Sequence, residues 1–375
     1  MTSAPEGVMV AGVAPVEVVA PATPGEVADV LRSTTGTVVP VGAGTKTGWA
    51  APPTSCDLVL RTTGLNRIVE HTPGDLVVVA EAGVRLADLR ERLAGHGQML
   101  ALDPPEPEAT LGGIVSANAS GPRRLRYGTV RDLLIGVTVV LADGTVARSG
   151  GKVVKNVAGY DLGKLYTGAH GGLGVVVSTT WRLHPRPPAA GAVVVPVTGA
   201  AEAGRLAALV CRSTLTPTAV ELRWSGSDGE LVVLFESIPA SVVGQCRATV
   251  ALLGGGSIVD AVPDWFGVRP VGQIVLRLAF APFALPRVLA ALPPTAGATV
   301  SAATGVAYAA VPRDVDLAAL RATIAPFDGS AVLLTAVPGI DHWGPVPDSF
   351  ALMERVKDQF DPRRRLSPGR LLGGL

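Results

Sequence analysis

Cysteine is scarce in this chain: 375 residues contain three, Cys56, Cys211 and Cys246, far apart in sequence. That spacing suits neither a disulfide framework nor the ligand set of an iron–sulfur cluster, so any cluster relay belongs on another chain. Aromatic residues contribute 4% and charged residues 17%, and 32 Lys and Arg against 31 Asp and Glu leave a net charge of +1. Without a basic excess there is no electrostatic footprint for a nucleic-acid backbone. Histidine is sparse as well: His71, His96, His170, His184 and His342 show no metal-ligand pairing, and no metal is expected. Long apolar runs are missing despite a mean hydropathy of +0.40. The excess comes from Ala and Val in short runs, none near the ~20 residues of a spanning helix. Residues 1–10 carry Glu6 and no basic start, unlike a secretory leader, so cytoplasmic residence is expected.

Glycine, by contrast, is plentiful, with 45 residues. Two segments concentrate it: Pro40-Val41-Gly42-Ala43-Gly44-Thr45-Lys46-Thr47-Gly48, and a stretch from Asp103 through Thr110-Leu111-Gly112-Gly113 to Gly121. Backbone with so little side chain in the way can present main-chain N–H groups to a diphosphate, and two such loops suggest one large dinucleotide. The spacing Gly42, Gly44, Gly48 followed by Trp49-Ala50-Ala51-Pro52-Pro53 excludes a Rossmann fingerprint, because the prolines stop the helix that the third glycine should open. A Walker A loop is excluded because Thr45 stands where a glycine must precede Lys46.

Length and apolar content predict roughly two or three domains. A helix over 24–32, strands over 38–41, 58–61, 68–70 and 76–81, and a helix over 84–93 follow from periodicity. Asp143-Gly144 marks a hairpin between strands 136–141 and 145–147, and 174–183 reads as another strand. The run His184-Pro185-Arg186-Pro187-Pro188 reads as a domain boundary. Beyond it, strands 221–224, 231–236, 273–280, 300–310 and 331–336 alternate with helices 200–212, 241–252 and 316–324, which predicts an antiparallel sheet with helices on one face.

The ordered set Pro-x-Gly-x-Gly-Thr, Asp103-Pro104-Pro105, Thr110-Leu111-Gly112-Gly113, Arg126-Tyr127-Gly128, Ala142-Asp143-Gly144, Lys155-Asn156-Val157-Ala158-Gly159-Tyr160-Asp161-Leu162 and Gly172-Leu173-Gly174 resembles the flavin-binding half of the vanillyl-alcohol oxidase family. The segments Gly151 to Leu162 and Phe360-Asp361-Pro362-Arg363-Arg364-Arg365-Leu366-Ser367-Pro368-Gly369-Arg370 are similar to the FAD-binding E subunits of bacterial glycolate oxidases. The resemblance implies an α+β architecture: a PCMH-type FAD-binding domain of two α/β subdomains over 10–188, an α+β cap over 189–346, and a C-terminal helix and tail over 347–375 that return to the FAD domain. It implies noncovalent FAD, held at the diphosphate by Val41, Gly42, Ala43, Gly44 and Thr45. Pro105, Thr110, Gly112, Gly113, Asn118 and Ala119 would continue that shell, with Asn156, Tyr160 and Asp161 in the next motif and Gly174, Val175 and Val176 towards the adenine.

Catalytic residues are harder to assign. Oxidation of a 2-hydroxy acid needs a base and a cation for the carboxylate. The histidine-rich cap motif of the catalytic relatives, His-Gly-Asp-Gly-Asn, is absent here, and only His342 falls in the expected half. Arg277, inside the apolar run Gln273 to Phe280, faces either the solvated side of a sheet or a substrate carboxylate. Tyr160 is either a core residue or a neighbour of the flavin ring, and Asp161 a helix N-cap ahead of Leu162. Arg363-Arg364-Arg365 reads as a solvated face at the C-terminal end of a helix over 349–360, and Ser367 replaces the family's usual Asn.

The resemblance implies the FAD-binding component of a glycolate (2-hydroxy acid) dehydrogenase. Its partners would be a second flavoprotein subunit and an iron–sulfur subunit, the complex sitting in the cytoplasm or peripherally at the inner face of the membrane. Two alternatives stay open: a flavin-binding or scaffolding subunit without turnover of its own, and a standalone FAD-linked alcohol oxidase.

Overall fold

The computed structural model describes residues 8–152, 160–337 and 339–375. The chain divides into two compact units, the first drawing on residues up to 120, 129–186 and 336–375, the second on 121–128 and 187–335. His342 therefore belongs to the first unit, although its sequence position suggests the cap, and the short Arg124–Tyr127 helix belongs to the second.

In the first unit, Leu58–Arg61 lies between Glu17–Val19 and Val38–Val41 in a parallel three-stranded sheet. The helix Pro24–Ser33 covers it. Pro24 occupies the first turn, Thr23 Oγ1 accepts from Glu26 N at 3.1 Å, and Glu26 Oε2 accepts from Ala22 N at 2.8 Å, which satisfies donors the helix start leaves open. Val27, Ala28 and Leu31 on its inner face pack with Val38, Leu58, Leu60 and Leu366. The second sheet is antiparallel, in the order Ile68–Thr72, Val77–Glu81, Val175–Arg182, Leu134–Val140, Val146–Gly150. Asp143-Gly144 makes the expected hairpin: Gly144 sits at φ +82° and Asp143 Oδ1 accepts from Thr145 N at 2.8 Å.

The C-terminal helix Phe350–Phe360 leads into a tail that lies beside Val38, with Val38 N donating to Arg365 O and Ser367 N to Val38 O, both at 2.9 Å. Lys357 anchors it. Its buried Nζ donates to Gly172 O at 2.7 Å and Leu366 O at 2.8 Å and pairs with Asp361 at 2.7 Å. The solvated-face reading of residues 363–365 fails at Arg365, which is buried and donates to Leu31 O at 2.9 Å and to Thr34 O. The last carbonyls of the Pro24–Ser33 helix need donors, and a cation there also complements the helix dipole.

The second unit holds one eight-stranded antiparallel sheet, ordered Ser257–Val259, Ala189–Thr198, Asp228–Ser237, Ala219–Trp224, Gly297–Ser301, Val306–Val311, Ile274–Ala279, Ser330–Leu333. The helices Ala200–Arg212 and Pro239–Leu253 pack on one face, where a Cβ on Gly191 would meet Val242 at 2.7 Å. The expected single strand over 300–310 is a hairpin instead. Gly305, at φ +66°, turns the chain with its Cα so close to Phe280 O that a Cβ would lie 1.8 Å away. Among the described residues no helix is long and apolar enough to cross a membrane.

Candidate functional site

The strand Val38–Val41 delivers the first glycine segment to an open cleft, all of it within the first unit. Val41, Gly42, Ala43, Gly44 and Thr45 form one wall; Thr110, Gly113, Ser116 and Ala117 form another; Lys46, Thr47, His170 and Arg370 complete it. Gly44, at φ +80°, reverses the loop, which closes in the short turn Thr47–Trp49. The N–H groups of Ala43, Gly44 and Thr45 donate to no acceptor among the described residues. Gly42 is where the two segments touch: a Cβ there would lie 2.1 Å from Thr110 Oγ1.

The second glycine segment is a helix start rather than a loop. Thr110 caps the helix Leu111–Ala117, its Oγ1 accepting from Gly113 N at 3.4 Å. Leu111 N donates to Val84 O at 2.9 Å and Gly112 N to Ala82 O at 2.8 Å, so those two N–H groups are already used. Gly112 serves packing: a Cβ on it would stand 2.7 Å from Ala82 Cβ. The main-chain donors that face the cleft therefore come chiefly from residues 43–45.

Two cations border these donors. Lys46 is compensated, its Nζ 3.0 Å from Glu106 Oε2 and 5.5 Å from the Trp49 ring centroid. Arg370 is different. It is 4% exposed, and its Nη2 and Nη1 donate to Thr47 O at 2.7 Å and Ala51 O at 3.3 Å. No carboxylate among the described residues pairs with it, and burial pulls its pKa down to about 10. A buried guanidinium held only by carbonyls is costly unless an anion arrives. In the sequence Arg370 stands out only as the last residue of the terminal motif, with no local signal of its burial.

These features fit a dinucleotide diphosphate: unoccupied N–H groups on a side-chain-free loop, a threonine hydroxyl, and a buried cation without its own counter-ion. Asn118, beyond the Ala117 wall at φ +48°, adds a buried Oδ1 that has no hydrogen-bond partner among the described residues.

The other sequence candidates lie away from the cleft wall. Pro105 is half-buried beside Glu106, and Ala119 is fully buried. Gly174 precedes the strand Val175–Arg182, in which Val175 and Val176 pair with Val140 and Val139 in the sheet core. Asp161 is the N-cap of Leu162–Tyr166, and Tyr160 is 92% exposed, which rules out the core reading of its ring. Asn156 lies outside the described residues. His342 is buried with both ring nitrogens engaged by its own loop: Nδ1 faces Ile340 O at 2.9 Å and Nε2 accepts from Val337 N at 3.3 Å. That arrangement leaves its ring no lone pair with which to take a proton.

In the second unit Arg277 stands directly opposite Tyr308 across two antiparallel strands, on the sheet face opposite the helices Ala200–Arg212 and Pro239–Leu253. The Arg269 guanidinium lies 4.7 Å from the centroid of the Tyr308 ring.

Residues 15–150 match the family model described as "FAD binding domain". An uncharacterized FAD-linked oxidoreductase of Mycobacterium tuberculosis is 30% identical over 264 residues, covering 69% of this chain and 57% of that protein. The glycolate oxidase subunit GlcE of Escherichia coli is 43% identical over 122 residues, covering 32% of this chain and 35% of that subunit. A D-lactate dehydrogenase of Archaeoglobus fulgidus is 32% identical over 240 residues, 59% and 54% of the two chains. The chain thus spans little more than half of these longer relatives, and less of the glycolate oxidase subunit. A solved alkyldihydroxyacetonephosphate synthase shares the fold, with a TM-score of 0.72 at 15% identity over 95% of this chain and 77% of its own. Sequence match, fold and cleft agree that residues 15–150 form an FAD-binding domain of the PCMH type, and that this protein is a flavoprotein.

Proposed function

We propose that the protein is an FAD-dependent oxidoreductase acting on the CH–OH group of a small 2-hydroxy acid such as glycolate or D-lactate. In this reading it serves as an E-type subunit of a glycolate oxidase, beside a second flavoprotein subunit and an iron–sulfur subunit. The observation that carries it is the cleft of residues 41–45, Thr110 and Arg370; similarity to glycolate oxidase subunits and D-lactate dehydrogenases supports the substrate class.

Ala43, Gly44 and Thr45 would hold the diphosphate through their main-chain N–H groups, Thr110 would add its hydroxyl, and Arg370 would supply the buried positive charge. Bound FAD supplies an acceptor for the two electrons removed when the alcohol becomes a ketone or aldehyde. On the second unit, Arg277 is the residue we assign to the substrate carboxylate. Tyr160, exposed beside the Asn156 motif, stays a candidate neighbour of the flavin; His342, with both nitrogens engaged, is given no role as base.

A second reading is favoured by that pinned histidine and by the absent His-Gly-Asp-Gly-Asn motif: a subunit that binds FAD but depends on its partners for turnover. Purification of the chain followed by anaerobic addition of glycolate and D-lactate, with and without co-expressed neighbours, tests both. A yellow protein bleached by either acid alone supports independent turnover, bleaching only with partners supports the dependent subunit, and a colourless protein overturns the flavin assignment.

A further inference from the structure

His170 lines the cleft of residues 41–45 from a tight turn that three other parts of the first unit hold in place. Its φ of +47° is unusual for a residue with a side chain, and it stands between Gly168 at +83° and Gly171 at +76°. Its N–H donates to Ser116 O at 2.9 Å on the helix Leu111–Ala117, and its carbonyl accepts from Ser367 Oγ in the tail at 3.0 Å. A Cβ on Gly171 would stand 3.0 Å from the Pro40 ring, so the turn is also pressed against the start of the first glycine segment. The half-buried imidazole meets the Trp343 ring edge-on at 5.7 Å, and Trp343 Nε1 in turn donates to Arg370 O at 3.0 Å. A side chain in the left-handed region persists only where its surroundings over-determine it, and such residues gather at binding sites.

We propose that His170 is a titratable cofactor-binding residue: as imidazolium it would add a second cation to the cleft beside Arg370, so that FAD is held more tightly as pH falls. This rests on the assignment of the cleft to the FAD diphosphate. The charged groups on the elements packed against the turn are few. The helix Leu111–Ala117 carries none, and Lys46 on the glycine segment pairs with Glu106. In the tail, Arg370 stays a cation at neutral pH with a pKa of about 10, Arg365 donates to Leu31 O and Thr34 O, and Lys357 pairs with Asp361 behind Gly172. On the loop of Trp343, Asp341 Oδ1 takes the N–H groups of Trp343 and Gly344 at 3.0 and 3.1 Å, and the His342 ring is engaged by Ile340 O and Val337 N. Only an imidazole has an ordinary pKa of about 6.5, so a change of charge near neutral pH at this end of the cleft falls to His170. A diphosphate binds the protonated ring in preference to the neutral one. Affinity should therefore rise as pH falls through the imidazole's range, and a bound diphosphate should raise the midpoint of that titration.

Quenching of flavin fluorescence by the full-length protein, titrated with FAD at constant ionic strength between about pH 5.5 and 8.5, tests this without reference to turnover. Wild-type affinity should strengthen about tenfold toward the acid end. His170→Asn, which tolerates the positive φ, should keep the melting temperature of the cofactor-free chain and hold the weaker, alkaline affinity throughout, whereas His170→Lys should hold the tighter one. In proton NMR, one of the five histidines should titrate with a midpoint that ADP, the diphosphate-bearing half of the cofactor, moves upward, and that signal should be missing from His170→Asn. A wild-type affinity without pH dependence, a dependence retained in His170→Asn, or a midpoint that ADP leaves in place overturns the proposal. Arg370→Gln separates the two levels of the argument. If it weakens FAD binding while His170→Asn behaves as wild type, the cleft stands and only the role of His170 falls; if neither variant alters binding, the cleft assignment falls with it.

Discussion

Gly42 and Arg370 define the cleft from opposite ends of the chain, and each makes a distinct demand. At Gly42 the constraint is steric: the side chain of Thr110 occupies the space where a Cβ would go, 2.1 Å from its Oγ1. Gly42→Ala should cost about 1–3 kcal/mol of stability and release flavin during gel filtration, because overpacking shifts the loop or the helix cap. Pairing it with Thr110→Ala, which removes that oxygen, should recover part of the thermal stability but not the flavin; purely additive melting temperatures would disprove the contact. At Arg370 the constraint is electrostatic. Arg370→Gln should weaken FAD binding about tenfold or more, with Arg370→Lys intermediate, as read by quenching of flavin fluorescence. Equal affinities in all three proteins would reduce Arg370 to an anchor for the carbonyls of Thr47 and Ala51.

Strands and helices reveal how far local pattern reaches. Alternation of apolar residues is a real signal over 136–141 and 174–183, and the Asp143-Gly144 turn between strands is readable because only certain residues accept positive φ. The same alternation misleads over 300–310, where Ala302, Ala303 and Thr304 carry no turn signal and only Gly305 betrays the hairpin. The terminal element shows another limit. Lys357 sits on an ordinary amphipathic helix, yet its Nζ is buried among Gly172 O, Leu366 O and Asp361. Lys357→Met should lower stability by about 3–5 kcal/mol by leaving Asp361 as an uncompensated buried charge, and adding Asp361→Asn should return some of it. A denaturation midpoint unchanged in the single variant would contradict this role. The strand Val306–Val311 carries a pH term of its own. The folded-state pKa of Tyr308 is depressed from 10.0 to about 8, so its contribution to stability is present above 10.0 and is lost as pH falls through about 8. Wild type should gain melting temperature relative to Tyr308→Phe across that interval, and parallel curves would contradict the shift.

Two compact units, each with its own sheet and core, separate the glycine-loop cleft proposed for the cofactor in the first from Arg277 on the sheet of the second. Cofactor retention and the substrate role proposed for Arg277 should consequently vary independently. Arg277→Met should leave the flavin content of the purified protein at the wild-type level while abolishing reduction by glycolate, whether alone or with partner subunits. Loss of flavin in that variant would show that the second unit governs cofactor binding.

Spacing along the chain was enough to exclude Rossmann and Walker folds and to single out residues 41–45 as a dinucleotide loop, because a side-chain-free loop leaving a strand is a local property of the sequence; the family resemblance of the ordered motifs narrowed the dinucleotide to FAD. Local pattern could not tell that Gly112 packs on Ala82 instead of facing the cleft, or that Val175 and Val176 belong to a sheet core. Nor could it find Arg370, whose contact with Thr47 spans 323 residues, or gather Arg124, Arg269 and Arg277 around Tyr308. Those placements depend on which distant backbone segments pair and which side chains lose their water together, and both are settled only when the sheets assemble.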